Sequence, residues 1–492
     1  MLRRFGRVAG FSTLLLGFSL AGPLVASDWA RFRGPNGSGV CSDKEPTPVS
    51  WSATENLKWK LALPGPGSSC PIVVGDKVFV TCWSGYGVAS EGSGRGRGDL
   101  DGQENLERHL VCVDKVSGKL LWKSDVPAKL PEDRYGGMFA ENGYASHTPV
   151  SDGKSVFAFF GKSGVFAYDF NGRQLWQADV GSESDRRGWG TASSPILYEN
   201  LVIVTASIES NALIALDKST GKEVWRKKAD GFESTWGTPV LVKVDDQRTD
   251  LVIGVPYDIW GFDPADGKFR WFCPAMDNDS YCSSVVVDGD AVIGIEGRGG
   301  GSIAVRAGGK DDVGKTHVVW QGRDNNRIGT PVVYEGRVYF VSNKIVNCLD
   351  AKTGKKIFQA RLTGGAFTTA QADTPRRGDD RDSQPRPERG EQPGGFGGGI
   401  GGGFGGGFGG GGYGGRGGGR GGQDYSSPIV ADGKVYYLTR SGDAYVFKAD
   451  TKFEQLAVNR LTDDAEDFSA SPAASEGRLY IRSSKHLYCV GK

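Results

Sequence analysis

Residues 194–225 read SPILYENLVIVTASIESNALIALDKSTGKEVW. A Ser-Pro step opens the apolar run Ile196-Leu197-Tyr198, and a turn leads to a second run, Leu201-Val202-Ile203-Val204. A third run, Leu213-Ile214-Ala215-Leu216, ends on Asp217. The turn from Asp217 to Lys222 contains Gly221, which takes a positive φ without steric cost, and Glu223-Val224-Trp225 begins a fourth run. The same pattern recurs behind Pro71, Pro149, Pro239, Pro331, Pro428 and Pro472, and an eighth copy carries Val285 in the proline slot. The undisturbed spacings are 44 to 46 residues, as from Pro149 to Pro195 and from Pro195 to Pro239. Four short strands in such a period specify an all-β, eight-bladed β-propeller of four-stranded antiparallel blades.

The fourth-strand aromatic recurs as Trp122, Trp176, Trp225, Trp271, Trp320 and Phe358, a slot from which a large ring fills the gap between neighbouring sheets. The last copy stops after three strands, at Lys492. Its missing strand is read at residues 56–63, around Leu57-Lys58-Trp59-Lys60-Leu61, so that an N-terminal strand completes blade eight and removes an exposed edge. Residues 364–422 stand outside the repeat, polar and then Gly-rich. Such a composition buries too little apolar surface to offset its ordering entropy and predicts a disordered insertion.

Residues 1–26 read as a signal peptide: Arg3, Arg4 and Arg7 precede an apolar stretch from Val8 to Leu20, and Leu24-Val25-Ala26 precedes a cut. No other run is long enough to span a bilayer, so a periplasmic or secreted protein without a transmembrane anchor is expected. Removing those three Arg takes the formal charge from +1 to −2, which gives no reason to expect a nucleic acid partner. Of eight cysteines, Cys112, Cys348 and Cys489 share one slot in the third strand and read as small buried hydrophobes. Cys70 with Cys82, and Cys273 with Cys282, are candidate disulfides. Four scattered histidines, His109, His147, His317 and His486, form no sequence-local zinc motif.

Strands alternate in direction, so the connections from second to third strand and from one blade to the next emerge on one face. The long connections, 84–109, 123–146 and 359–424, all fall there, and the opposite face is expected to carry only tight turns. Elaborated loops on one side of a plain scaffold are where binding resides. Residues just before each proline slot are expected to ring the central mouth: Tyr144, His147, Arg187, Trp189, Glu233, Trp236, Tyr281, Arg327, Tyr425 and Phe468. Such a ring rich in aromatic residues and Arg serves either as a binding pocket or as a channel plug.

The repeated Asp-x-x-x-Gly-x-x-x-Trp turn, as in Asp114 to Trp122, Asp217 to Trp225 and Asp263 to Trp271, resembles the tryptophan-docking motif of quinoprotein (PQQ-type) β-propellers. Asp28-Trp29-Ala30-Arg31-Phe32-Arg33-Gly34-Pro35-Asn36-Gly37 and Asp185-Arg186-Arg187-Gly188-Trp189-Gly190 resemble segments of bacterial exported PQQ-like repeat proteins. That family includes dehydrogenases using pyrroloquinoline quinone and the outer-membrane assembly scaffold BamB. The dehydrogenase reading implies an aromatic floor (Trp189 or Trp236), Arg187 and Arg327 for the quinone carboxylates, and Ca²⁺ on Glu141-Asn142 or Asp277-Asn278-Asp279. Asp99-Leu100-Asp101-Gly102 hints at a Ca²⁺ loop. No two cysteines are adjacent, unlike the vicinal pair of many alcohol dehydrogenases in the family. The resemblance therefore implies first a non-catalytic scaffold binding a protein or glycan of the cell envelope, and second a PQQ- and Ca-dependent dehydrogenase of an alcohol or sugar.

Overall fold

Lettered A to D from the channel outward, the strands of the third blade are Ile196–Tyr198, Leu201–Ala206, Ala212–Asp217 and Glu223–Lys228, hydrogen-bonded in that order. The computed structural model describes residues 28–86, 102–135, 144–297, 300–326, 328–365 and 424–492, and within them this sheet recurs eight times as the blades of a propeller. The eighth blade takes strands A to C from Ala473–Ser475, Arg478–Arg482 and His486–Val490 and its outer strand from Leu57–Ala62. Trp59 lies opposite Cys489 and Leu61 opposite Leu487, so the predicted closure by the N-terminal strand is found. The apolar core lies between blades. One cluster joins Ile72, Phe79 and Leu110 of blade one to Val156, Phe166 and Tyr168 of blade two.

The Asp-to-Trp motif is a docking device between blades. Each indole Nε1 donates to a carbonyl in the C–D turn of the next blade: Trp122 to Phe170 at 2.9 Å, Trp176 to Lys218 at 3.0 Å and Trp225 to Pro264 at 3.2 Å. The indole lies on the turn glycine of that blade. A Cβ added to Gly221, whose φ is +70°, would sit 2.6 Å from the Trp176 ring. Trp271 is the exception, because blade five replaces its Asp-Gly turn with an insertion. Its Nε1 donates instead to the buried Asp250 carboxylate at 2.7 Å.

That insertion corrects one expectation. Asp311–Asp312 leaves blade five and pairs in parallel with strand D of blade four, Phe269–Pro274, on the face expected to carry only tight turns. The N-terminal segment adds a second elaboration. Trp29 exchanges backbone hydrogen bonds with Val73 of blade one, Ala30 accepts from Ser151 of blade two, and Asn36 pairs with the backbone of Leu241 in blade four. The buried Arg33 guanidinium donates to the carbonyls of Thr330, Pro331 and Pro428, in blades six and seven. Residues 28–41 thus form a strap across the central channel.

Neither Cys70–Cys82 nor Cys273–Cys282 is bridged, while Cys112, Cys348 and Cys489 are fully buried in strand C as read. Residues 1–27 and 366–423, which hold the predicted signal peptide and nearly all of the Gly-rich insertion, lie outside the described residues.

Candidate functional site

The residue before each proline slot closes the ring. Proline has no N–H and forces its predecessor into extended backbone, so that predecessor's own N–H needs a partner outside the ladder. The next blade supplies it. Cys70 N–H donates to Thr148 Oγ1 (2.9 Å), Thr148 to Ser194 Oγ (3.0 Å), Ser194 to Thr238 Oγ1 (3.0 Å) and Thr238 to Ser284 Oγ (2.8 Å). Ser284 donates to Thr330 Oγ1 (3.0 Å), Thr330 to Ser427 Oγ (2.9 Å) and Ser427 to Ser471 Oγ (2.8 Å). Ser471 returns to Cys70 Sγ at 3.2 Å. Every blade is stapled to both neighbours by one such bond, and the circle is complete.

Extended backbone alternates sides, so the residue three before each slot shares the inward face with the residue one before it. This second ring is Ser68, Ser146, Ala192, Trp236, Cys282, Ile328, Tyr425 and Ser469. Together with Trp189 above and Phe32 of the strap below, the two rings enclose a cavity of about 160 Å³. It is lopsided: small residues come from the contiguous blades eight, one, two and three, and large apolar ones from blades four, six and seven. None of these lining side chains carries a charge.

The aromatic wall is held from behind. Trp189 and Trp236 pack with ring centroids 5.0 Å apart, and Trp236 Nε1 donates to the Gly190 carbonyl at 2.6 Å. Asp185 accepts from the N–H of Arg187 (2.8 Å) and of Gly190 (2.6 Å), which shapes the loop that presents Trp189. Its own N–H donates to Asp133 (3.0 Å), whose other oxygen pairs with the buried Lys162 at 3.0 Å. Arg187 lies 5.5 Å over the Trp189 ring and reaches past blade four to Asp279, donating to its carbonyl (3.0 Å) and carboxylate (3.1 Å).

Of the ten residues expected at the mouth, Trp189, Trp236 and Tyr425 line the cavity, Arg187 clasps its rim, and Glu233 lines a smaller hollow behind Trp236. Four fall elsewhere. Tyr144 packs between Trp83, Tyr86 and Tyr135, Tyr281 fills the space over Gly254 and Gly294, and Phe468 stacks on Tyr488. His147 is buried against Phe159 at 4.2 Å. Arg327, Glu141, Asn142, Asp99 and Asp101 lie outside the described residues. Tyr281, Phe468 and His147 stand two or four positions before their slots, and within that short extended run the even positions point between blades; Trp189, six before Pro195, lies beyond the run, in the loop shaped by Asp185. Counting parity back over those four positions would have separated these three from the lining residues and found the hydroxyl ring. Phe32 carried no such signal.

Behind the wall lies a buried polar cluster. Arg108 and Glu132 pair at 2.7 Å with both side chains 2% exposed. The Thr191 hydroxyl meets His147 Nε2 at 3.1 Å and also bonds the Glu209 carboxyl. Burial pushes the Glu209 carboxyl up to about 7. Burial, with Arg108 nearby, pushes His147 down to about 3. At neutral pH His147 is therefore an uncharged packing residue. The Glu107–His109–Asp125 group is the one metal-sized cluster among the described residues. Two of its three members are already engaged: Lys123 sits 2.6 Å from Asp125, and the two His109 ring nitrogens face Asp125 (2.6 Å) and Ser84 (2.8 Å).

The described part of the mouth does not suit a Ca²⁺-bound tricarboxylate quinone. Its described lining offers no cation for a carboxylate and no carboxylate for a metal ion. Asp279 is committed to Arg187, and Asn278 is buried beside Tyr257.

The family model described as "Outer membrane protein assembly factor BamB" matches residues 104–211 and 199–372, together more than half of the chain. Quinoprotein alcohol dehydrogenase PedH of Pseudomonas putida is 34% identical over 142 residues, 26% of this chain. The match spans 22% of that protein's length. Among solved structures, BamB from Moraxella catarrhalis aligns with a TM-score of 0.53 at 11% identity, covering 89% of this chain and 99% of that one. A europium-containing methanol dehydrogenase aligns at 0.58 and 11% identity, covering 95% and 98%. Quinohemoprotein alcohol dehydrogenase from Comamonas testosteroni aligns at 0.56 and 11%, covering 95% and 81%. At these identities the structural likeness shows the fold.

Proposed function

The chain belongs to the family of the outer membrane protein assembly factor BamB, and on that footing we propose that it is a non-catalytic binding scaffold of the cell envelope that engages a partner protein through its D–A/B–C face. The observation that carries this reading is the composition of the mouth. Sixteen positions in two inner rings present hydroxyls, thiols and apolar groups, with no acid, base or metal-ligand set among them. A dehydrogenase site has to polarise a carbonyl and accept a proton, and both need charged or metal-bound groups at the reacting centre.

Export is part of the proposal and rests on Arg3, Arg4 and Arg7 before the apolar stretch to Leu20. No helix of the described residues is long and apolar enough to cross a membrane.

Two measurements test the reading. Photo-crosslinkers placed at Arg187 and Glu233 should capture an envelope protein, and crosslinkers at Gly153 and Lys222 on the opposite face should not. Saturating PQQ with Ca²⁺ should leave the melting temperature unchanged, because a ligand that binds only the folded state raises it. A melting shift accompanied by PQQ-dependent dye reduction with an alcohol would establish the dehydrogenase instead.

A further inference from the structure

The wall of the mouth on blades four, six and seven is built from Trp236, Ile328 and Tyr425, with Trp189 over it and Phe32 beneath. The facing wall is cut back to Ser146, Ala192 and their neighbours, and that difference makes the hollow. Two physical facts limit what fits. The first is size: about 160 Å³ is close to the roughly 150 Å³ cavity that holds one benzene ring, and well below the roughly 300 Å³ where sites for larger ligands begin. The second is polarity. The hydroxyls of the inner ring already accept backbone N–H groups from the preceding blade, and the Ser469 hydroxyl is donated to Asp467. A guest therefore gains apolar contact from the large wall, and polar contact only from neutral hydroxyls. With no charged lining side chain, an ionised guest would lose its hydration without compensation.

Resting on the scaffold reading above, we infer that the mouth is a socket for one uncharged aromatic side chain of the partner polypeptide. The Trp189–Trp236 pair is its stacking wall and Phe32 its floor. Such an anchor suits the energetics of protein interfaces, where a buried ring in a well-packed pocket dominates affinity. The strap gives the socket its bottom: without Phe32 the cavity would open into the channel.

N-acetyl-phenylalaninamide tests the assignment, with N-acetyl-alaninamide, benzoate and methyl glucoside as comparators, read by indole chemical shifts on the full mature chain. The phenylalanine amide should bind saturably, at least tenfold more tightly than each comparator. Ala192→Phe, which fills the cut-back wall, should abolish binding, and Trp189→Ala should weaken it about tenfold, both with an unchanged far-UV spectrum. No saturable binding of the phenylalanine amide, tighter binding of methyl glucoside or benzoate, or binding indifferent to Ala192→Phe would each overturn the inference. If the amide fails while crosslinks from Arg187 persist, the socket falls and the scaffold stands. If both fail, the scaffold reading falls with it.

Discussion

Ser471 donates its backbone N–H to the Sγ of Cys70 at 3.2 Å, and this contact joins the eighth blade to the first. The other seven links in the circle end on a hydroxyl; this one ends on a thiol, a weaker acceptor. The weakest staple therefore lies at the seam between the chain's two ends. Cys70→Ser should strengthen it and raise the melting temperature. Cys70→Ala should leave the Ser471 N–H buried and unpaired at a cost of about 1–2 kcal/mol. Thermal melts of the two variants beside the parent protein check the order Ser above Cys above Ala.

The docking of each indole on the next blade's glycine can be separated from backbone strain. Gly221 and Gly153 both have positive φ, +70° and +83°, yet an added Cβ meets the Trp176 ring at 2.6 Å at the first and nothing within 4 Å at the second. Gly221→Ala should cost roughly 1–3 kcal/mol more than Gly153→Ala, since both bear the strain and one also displaces a packed ring. Urea denaturation of the two variants measures that difference. Equal costs would mean that the indole contact contributes nothing.

The buried carboxyl of Glu209 gives stability a pH signature. Its native pKa stands at about 7 against an ordinary value of 4.5. Between those values the folded state keeps a proton that the unfolded chain releases, so this group's contribution falls as pH rises through the window. Glu209→Gln should gain on the parent by up to roughly 3 kcal/mol between pH 5 and pH 8. His147 acts in the opposite sense: it is held neutral, with a native pKa of about 3 against 6.5, so its contribution is lost as pH falls below 6.5. Removing Glu209 should therefore expose a stability that declines steadily on acidification below that point. Glu132 and Arg108, which face the same cluster, stay in place in this comparison.

How much of this could be read from the chain depended on distance along it. The blades, the closing strand at Trp59 and the docked tryptophans follow from a pattern repeated within one period, and all are found. The mouth was legible in part. Aromatic character picked out Trp189, Trp236 and Tyr425, but also Tyr281 and Phe468, which stand four positions before their slots and pack between blades. The strap was not legible. Arg33 finds its carbonyls 297 to 395 residues away, and no local pattern encodes such a partner.

Arg33 itself is the test of the strap. Its planar fork serves three carbonyls on two blades, geometry that an ammonium group does not reproduce. Arg33→Lys should destabilise the protein by roughly 2–4 kcal/mol. Hydrogen exchange should show the loss first at Thr330 to Val333 and Pro428 to Val430, ahead of blades two and three. Uniform loosening of all blades would mean that the strap is bound to the ring as a whole and not through this guanidinium.

The strap and the closing strand together set an order of events during biogenesis. Residues 28–62 leave the ribosome before any of the chain they pair with late in the ring. Leu57 meets Val490, and Cys41 meets Val430. The earliest segment to arrive is thus among the last to be seated. A nascent chain of seven blades has an open seam, an unfilled channel and an unpaired outer strand all at once. Folding quality control acting on this protein would meet a single late decision, because one segment, residues 28–62, both seals the seam through Leu57–Ala62 and floors the socket through Phe32.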